Sequence, residues 1–189
     1  MNDKTKVGTY TIIGSVSILL LLIVLLIVKR HAIKQQLMYK LKGDFFTIDE
    51  LTESTKAKEK GIDNTPTEEV KENLYLLIKE VLDPTRLAYG SYIKVNSGYR
   101  SSELNIALGG AASSQHIKGQ AADITGGSVD KNKEIFKIIA ESGNFDQLIW
   151  EKNGTWVHVS YKENGNRKEI LKEVSNKYID ITNNWESVI

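Results

Sequence analysis

Of the three histidines in this 189-residue chain, His31, His116 and His158, the first falls in a basic stretch after an apolar run. Any imidazole chemistry therefore has His116 and His158 to draw on. His116 lies in the string Ser114-Gln115-His116-Ile117-Lys118-Gly119-Gln120-Ala121-Ala122-Asp123, where a glycine turn leads into small residues and then a carboxylate. Small side chains at 119, 121 and 122 let backbone segments approach closely. Two imidazoles and one carboxylate, His116, Asp123 and His158, suit a zinc ion with a fourth position open for water, the arrangement of catalytic sites. A partly buried histidine hydrogen-bonded to an aspartate is the alternative use of the same residues.

The elements that must position these groups can be read from the flanking pattern. Residues 145–151 and 155–161 read as two strands around Asn153-Gly154, a strong two-residue hairpin signal that favours positive φ at both central positions. If Lys152 opposes Thr155, then Glu151 faces Trp156, Trp150 faces Val157 and Ile149 faces His158. Alternation puts Leu148, Trp150, Val157 and Val159 on a core face. Gln147, Ile149, Glu151, Trp156, His158 and Ser160 take the other. Glu151 and His158 are then diagonal neighbours on one face, with α-carbons about 7–8 Å apart. Asp146, a rival carboxylate, falls on the opposite face.

Upstream, Thr47 with Glu50 and Thr65-Pro66-Thr67-Glu68 read as helix starts. The second predicts a helix with Val70, Leu74, Leu77, Ile78 and Val81 inward, ending before Asp83-Pro84. Residues 91–95 read as a strand and 101–108 as a short helix. Residues 130–142 read as a helix with Ile135, Ile138 and Ile139 inward, and 167–171 as an edge strand. The polar tail to Ile189 carries no functional signal.

Three ordered strings, Ser97-Gly98-Tyr99-Arg100-Ser101, the Ser-x-His-x-x-Gly-x-Ala-x-Asp pattern at 114–123 and Trp156-Val157-His158-Val159-Ser160, resemble the zinc D-Ala-D-Ala carboxypeptidase-like metallopeptidases, which include phage cell-wall endopeptidases. The resemblance covers roughly residues 45–162 and is strongest over 95–162. It implies an α+β fold of the Hedgehog/DD-peptidase type, an antiparallel sheet with packed helices. It also implies Zn2+ held by His116, Asp123 and His158, and peptidoglycan peptides as substrate. Arg100 would bind substrate or steady the developing oxyanion, and Ser114 would lie near substrate. The common family pattern puts the catalytic Glu three residues before the last histidine, but that position is Thr155. Glu151 is the candidate base because hairpin pairing sets it on the His158 face. The plain alternatives are a surface ion pair for Arg100, a turn cap for Ser114 and a solvated charge for Glu151. A non-catalytic cell-wall-binding or virion-associated module is the alternative for the whole domain.

Composition bounds the setting. There is no cysteine, which excludes disulfides and thiolate metal sites, and 25 Lys+Arg nearly balance 24 Asp+Glu. Residues 7–28 carry no charge, and Ile18 to Val28 is an unbroken aliphatic run, enough to predict a single transmembrane helix within residues 1–30. A basic stalk at 31–44 and a peptidase domain at 45–189 follow. Without Lys4, Lys6, Lys29, Arg30 and Asp3 the remainder is mildly acidic, so no nucleic-acid partner is expected. The flanking Lys and Arg lean toward a cytosolic domain. A cell-wall substrate requires the opposite, and the extracytoplasmic side is the expectation adopted.

Overall fold

The computed structural model describes residues 20–30 and 44–189, the latter within a compact unit of residues 43–189. Residues 20–30 are helical. Among the described residues no helix is long and apolar enough to cross a membrane. Most of the anchor and stalk expected over residues 1–44 lies outside the described residues.

The domain opens with two short helices, α1 (Ile48–Thr52) and α2 (Thr55–Lys60). Thr47 caps α1 by accepting from the Glu50 N–H at 3.1 Å, as its sequence predicts. Helix α3 (Glu68–Leu77) starts two residues later than expected, because Thr67 rather than Thr65 is its cap, accepting from the Val70 N–H. Nor does the chain leave the helix before Asp83-Pro84. A widened π turn, Ile78–Leu82, leads into α4 (Asp83–Tyr89) with Pro84 in the first turn, where a missing N–H costs least. The Asp83 carboxylate accepts from the backbone N–H groups of Asp44, Phe45 and Phe46.

The remaining elements are β1 (Lys94–Ser97), α5 (Ser102–Ala107), a 3₁₀ turn (Gln115–Lys118), β2 (Ala121–Thr125), α6 (Val129–Ser142), β3 (Gln147–Glu151), β4 (Trp156–Ser160), β5 (Glu169–Val174), β6 (Lys177–Asp180) and α7 (Trp185–Val188). Six strands form one sheet in the order β1-β2-β4-β3-β5-β6. The class is α+β, but the expected all-antiparallel sheet is corrected at one seam. β5 lies parallel to β3, with Leu148 opposite Ile170. It is an interior strand rather than an edge, because β6 pairs with its far side.

The β3–β4 register is the one the hairpin signal predicts, with Glu151 opposite Trp156, Trp150 opposite Val157 and Ile149 opposite His158. Asn153 and Gly154 both have positive φ, and so does Lys152, so the strands join through a tight turn over 152–155. Leu148, Trp150, Val157 and Val159 enter a core shared with Leu74, Leu77 and Ile78 and with Ile135, Phe136 and Ile139 of α6. Phe136 meets Trp150 edge to face, centroids 5.5 Å apart. On α6 the fully buried positions are Asn132, Ile135, Phe136 and Ile139, while Ile138 is only partly covered. Asn132 is an unforeseen brace. Its amide donates to the carbonyls of Gly154 and Thr155, while its oxygen accepts from the Gly126 N–H, tying the hairpin turn to the end of β2.

The connection into the parallel seam is fastened electrostatically. Asp146, just before β3, is fully buried and accepts from Lys162 Nζ at 2.9 Å, Arg167 Nη2 at 2.7 Å and the Arg167 N–H at 3.0 Å. Those partners lie on the connection between β4 and β5, so one carboxylate pulls the returning chain across the start of β3. Burial raises the Asp146 pKa, but the Arg167 and Lys162 hydrogen bonds outweigh it and hold the carboxyl well below the usual range. Its ionised form therefore stabilises the fold above the ordinary Asp pKa of about 4, and that contribution is lost as pH falls below it. Asp146→Ala is expected to lower unfolding stability by about 1.5–3 kcal/mol in urea titrations, the range for hydrogen bonds to a charged group. Asp146→Asn should flatten the loss of stability below about pH 4.

Candidate metal centre

One sheet face carries Ser97, Asp123, His158, Ile149 and Glu151, since Ser97 pairs with Asp123, Asp123 with His158, and His158 with Ile149. Alternation along four strands thus puts the carboxylate and the second imidazole side by side. His116 reaches them from the 3₁₀ turn before β2. Ser114 caps that turn by accepting from the His116 N–H at 3.3 Å, and Gly119 ends it at φ 67°. A side chain at Gly119 would overlap the Val70 carbonyl, so the close approach foreseen for the small residues is real at this position.

The atoms converge tightly. His158 Nδ1 lies 2.9 Å from Asp123 Oδ1, His116 Nε2 lies 3.4 Å from the same oxygen, and the two ring nitrogens are 3.3 Å apart. His116 Nδ1 lies 2.6 Å from the Gly98 carbonyl oxygen. A carbonyl can only accept, so Nδ1 carries the proton and Nε2 turns a lone pair toward Asp123 and His158. Gly98 can hold that position because its α-carbon packs on the Leu51 carbonyl, where any side chain would overlap. Arg100 Nη2 donates to Asp123 Oδ2 at 2.6 Å and Nε to Ser97 Oγ at 2.8 Å, leaving Oδ1 for the cluster.

His116, Asp123 and His158 are the one group among the described residues whose donor atoms could hold a metal ion, all within 4.8 Å of one another. Their chemistry fits zinc. Ligands at about 2.0–2.1 Å in a tetrahedral site stand about 3.3 Å apart, close to the separations here. Each of two ligands is also fixed from behind, His116 by the Gly98 carbonyl and Asp123 by Arg100, as metal ligands usually are. Burial raises the Asp123 pKa, but its contacts with His116 and His158 overcome that and hold the carboxyl ionised.

Against this geometry, a family profile described as Peptidase M15 matches residues 44–160, more than half of the chain. The chain belongs to the peptidase M15 family. No curated protein matches it. The zinc peptidase resemblance carried by the three strings therefore holds at the level of family. In this M15 domain Glu151 is 8% exposed at the end of β3, so it is not the solvated hairpin charge of the plain reading. Burial raises its pKa most, His158 lowers it and Asp123 raises it, with a net upward shift. Asp146 is removed from the contest by its Lys162 and Arg167 partners. Arg100 is an ion-pair partner, but a largely buried one on Asp123, and it also lines a cleft of about 780 Å³ with Ser97, Tyr99, Leu104 and Trp156. Ser114 is a turn cap; its hydroxyl serves the His116 backbone.

Two contacts at the site escaped the sequence. The Gly98 carbonyl sits in the quoted Ser97-Gly98-Tyr99 string, yet a main-chain acceptor leaves no residue-type signature. Tyr178 donates to Glu151 Oε1 at 3.2 Å from a strand that the polar tail did not advertise. Purified full-length chain should bind about one zinc, read by elemental analysis. His116→Ala is expected to lower that stoichiometry and to remove the rise in melting temperature that zinc gives the unaltered protein. Arg100→Ala should weaken zinc affinity about 10–100-fold while the fold persists.

Proposed function

We propose that this chain is a zinc-dependent peptidase that hydrolyses peptide bonds in peptidoglycan stem peptides, by removal of a terminal D-alanine or by cleavage of an internal bond. The observation that carries the reading is a buried carboxylate, Glu151, on the same sheet face as the His116, Asp123 and His158 cluster. These three residues would hold the ion, which supplies Lewis acidity toward the scissile carbonyl and acidifies water. Glu151 takes the proton from the attacking water and returns it to the leaving amine. Arg100, with one face on Asp123 and the other on the cleft, keeps the carboxylate ligand oriented and offers positive charge where substrate enters. The cleft beside it is lined by Arg100 but by none of His116, Asp123, His158 or Glu151, so it would take the part of the peptide away from the scissile bond. A non-catalytic wall-binding module would have no use for a buried Glu151 whose ionised form the fold disfavours. The uncharged run of residues 7–28 supports attachment to a membrane; the extracytoplasmic side follows from the proposed substrate alone, against the lean of the flanking Lys and Arg.

Digestion of purified peptidoglycan with the full chain, followed by mass analysis, tests the reaction. Free D-alanine alone identifies a carboxypeptidase, new internal amino termini identify an endopeptidase, and neither product in the presence of zinc would sink the proposal. Glu151→Gln is expected to lower kcat by about 10²–10⁴, the usual worth of a general base. Because the fold raises the Glu151 pKa, its ionised form is disfavoured in the folded state, and stability falls as pH rises through that value. Glu151→Gln should therefore leave the melting temperature at neutral pH unchanged or higher.

A further inference from the structure

The segment matched by the family ends at Ser160, yet the sheet continues through β5 and β6. Pairing runs Ile149 to Leu171 across β3–β5, and Leu171 to Asp180 and Glu173 to Tyr178 across β5–β6. Side chains two residues apart share a face, so Glu151, Glu173 and Tyr178 all project from the face that carries Asp123 and His158. The Tyr178 ring is largely exposed, but its hydroxyl donates to Glu151 Oε1 at 3.2 Å.

The hairpin that brings Tyr178 there is itself tied to the site. Glu173, buried at the end of β5, accepts from the Lys152 N–H at 3.2 Å and from the Asn176 N–H at 2.6 Å. Lys152 directly follows Glu151. One carboxylate thus joins the β5–β6 turn to the β3–β4 turn, and fixes the distance between Tyr178 and Glu151. Lys152 Nζ adds a contact to Asn176 at 2.9 Å across the same two turns.

We infer that Tyr178 is a positioning residue for hydrolysis: it holds Glu151 through Oε1, so that Oε2 is presented to the water whose proton it takes. This rests on Glu151 being the general base. A carboxylate at a strand end rotates broadly about its last bond, and a single fixed donor removes that freedom without consuming the second oxygen. Tyr178 remains a donor throughout, since burial and the neighbouring Glu151 charge push its pKa up to about 12. The segment after residue 160 therefore belongs to the catalytic apparatus as well as to the sheet.

The test compares the full chain with Tyr178→Phe, Glu151→Gln and the double variant, using soluble stem peptides prepared from peptidoglycan. Tyr178→Phe keeps the ring and should leave melting temperature, zinc content and KM unchanged while kcat falls about 10- to 100-fold, the worth of a hydrogen bond to a charged group. In the Glu151→Gln background the same change should do nothing further, because Tyr178 acts only through Glu151. Turnover by the unaltered chain with kcat for Tyr178→Phe within about two-fold overturns the role of Tyr178 alone. An equal loss in both backgrounds also overturns it, since that pattern belongs to a general structural effect. No turnover by the unaltered, zinc-loaded chain overturns the proposed function and this inference with it.

Discussion

The Asp123 carboxylate sits where several demands meet. One oxygen is taken by Arg100 and the other faces His116 and His158. Holding an ionised carboxylate against two imidazoles in a nearly dry site is costly unless each group has a fixed partner. Much of the surrounding structure supplies those partners. Gly98 offers a carbonyl to His116, Ser114 shapes the turn that aims its ring, Ser97 holds the Arg100 guanidinium, and the β2–β4 register sets His158 beside Asp123. The cluster is a concentration of lone pairs directed at one another, and a bound cation is what such an arrangement suits.

A second carboxylate, Asp146, plays a different part with the same physics. Buried without a histidine partner, it gathers two cations from the loop after β4 and fastens the connection that leads into β5, which runs parallel to β3. That connection leads to β5 and β6, beside the strand where Glu151 ends. Three acidic residues on two strands and a loop thus have three fates. Asp123 meets imidazoles, Asp146 meets Lys162 and Arg167, and Glu151 meets a tyrosine hydroxyl with its pKa raised by burial. Environment separates their roles, because the side-chain chemistry is nearly identical.

Much of the candidate site was legible without coordinates. The Asn153-Gly154 turn set the β3–β4 register, and from alternation alone Glu151 and His158 share a face while Leu148, Trp150, Val157 and Val159 enter the core. These are local rules, with period two and a turn of fixed length, so they survive into the folded state. The widened turn before Pro84 and the later start of α3 were not legible. Both depend on competition between neighbouring caps and on packing from distant segments. Ser114 caps the turn, its hydroxyl accepting from the His116 N–H, and a hydroxyl used in that way keeps its own proton to donate.

Residue types and short spacings by themselves carried the β3–β4 hairpin, the strings that mark the family and the candidate donors His116, Asp123 and His158, because each hairpin or string is written in nearby positions of the chain and composition alone excludes thiolate sites. Tertiary structure alone decided that Gly98 holds the His116 tautomer, that Arg100 grips Asp123, that β5 is parallel to β3, and that Tyr178 reaches Glu151. Each of these joins groups far apart in sequence through a main-chain atom, a buried charge or a strand crossover. Such contacts leave no periodic trace, and they exist only once the sheet has closed over its core.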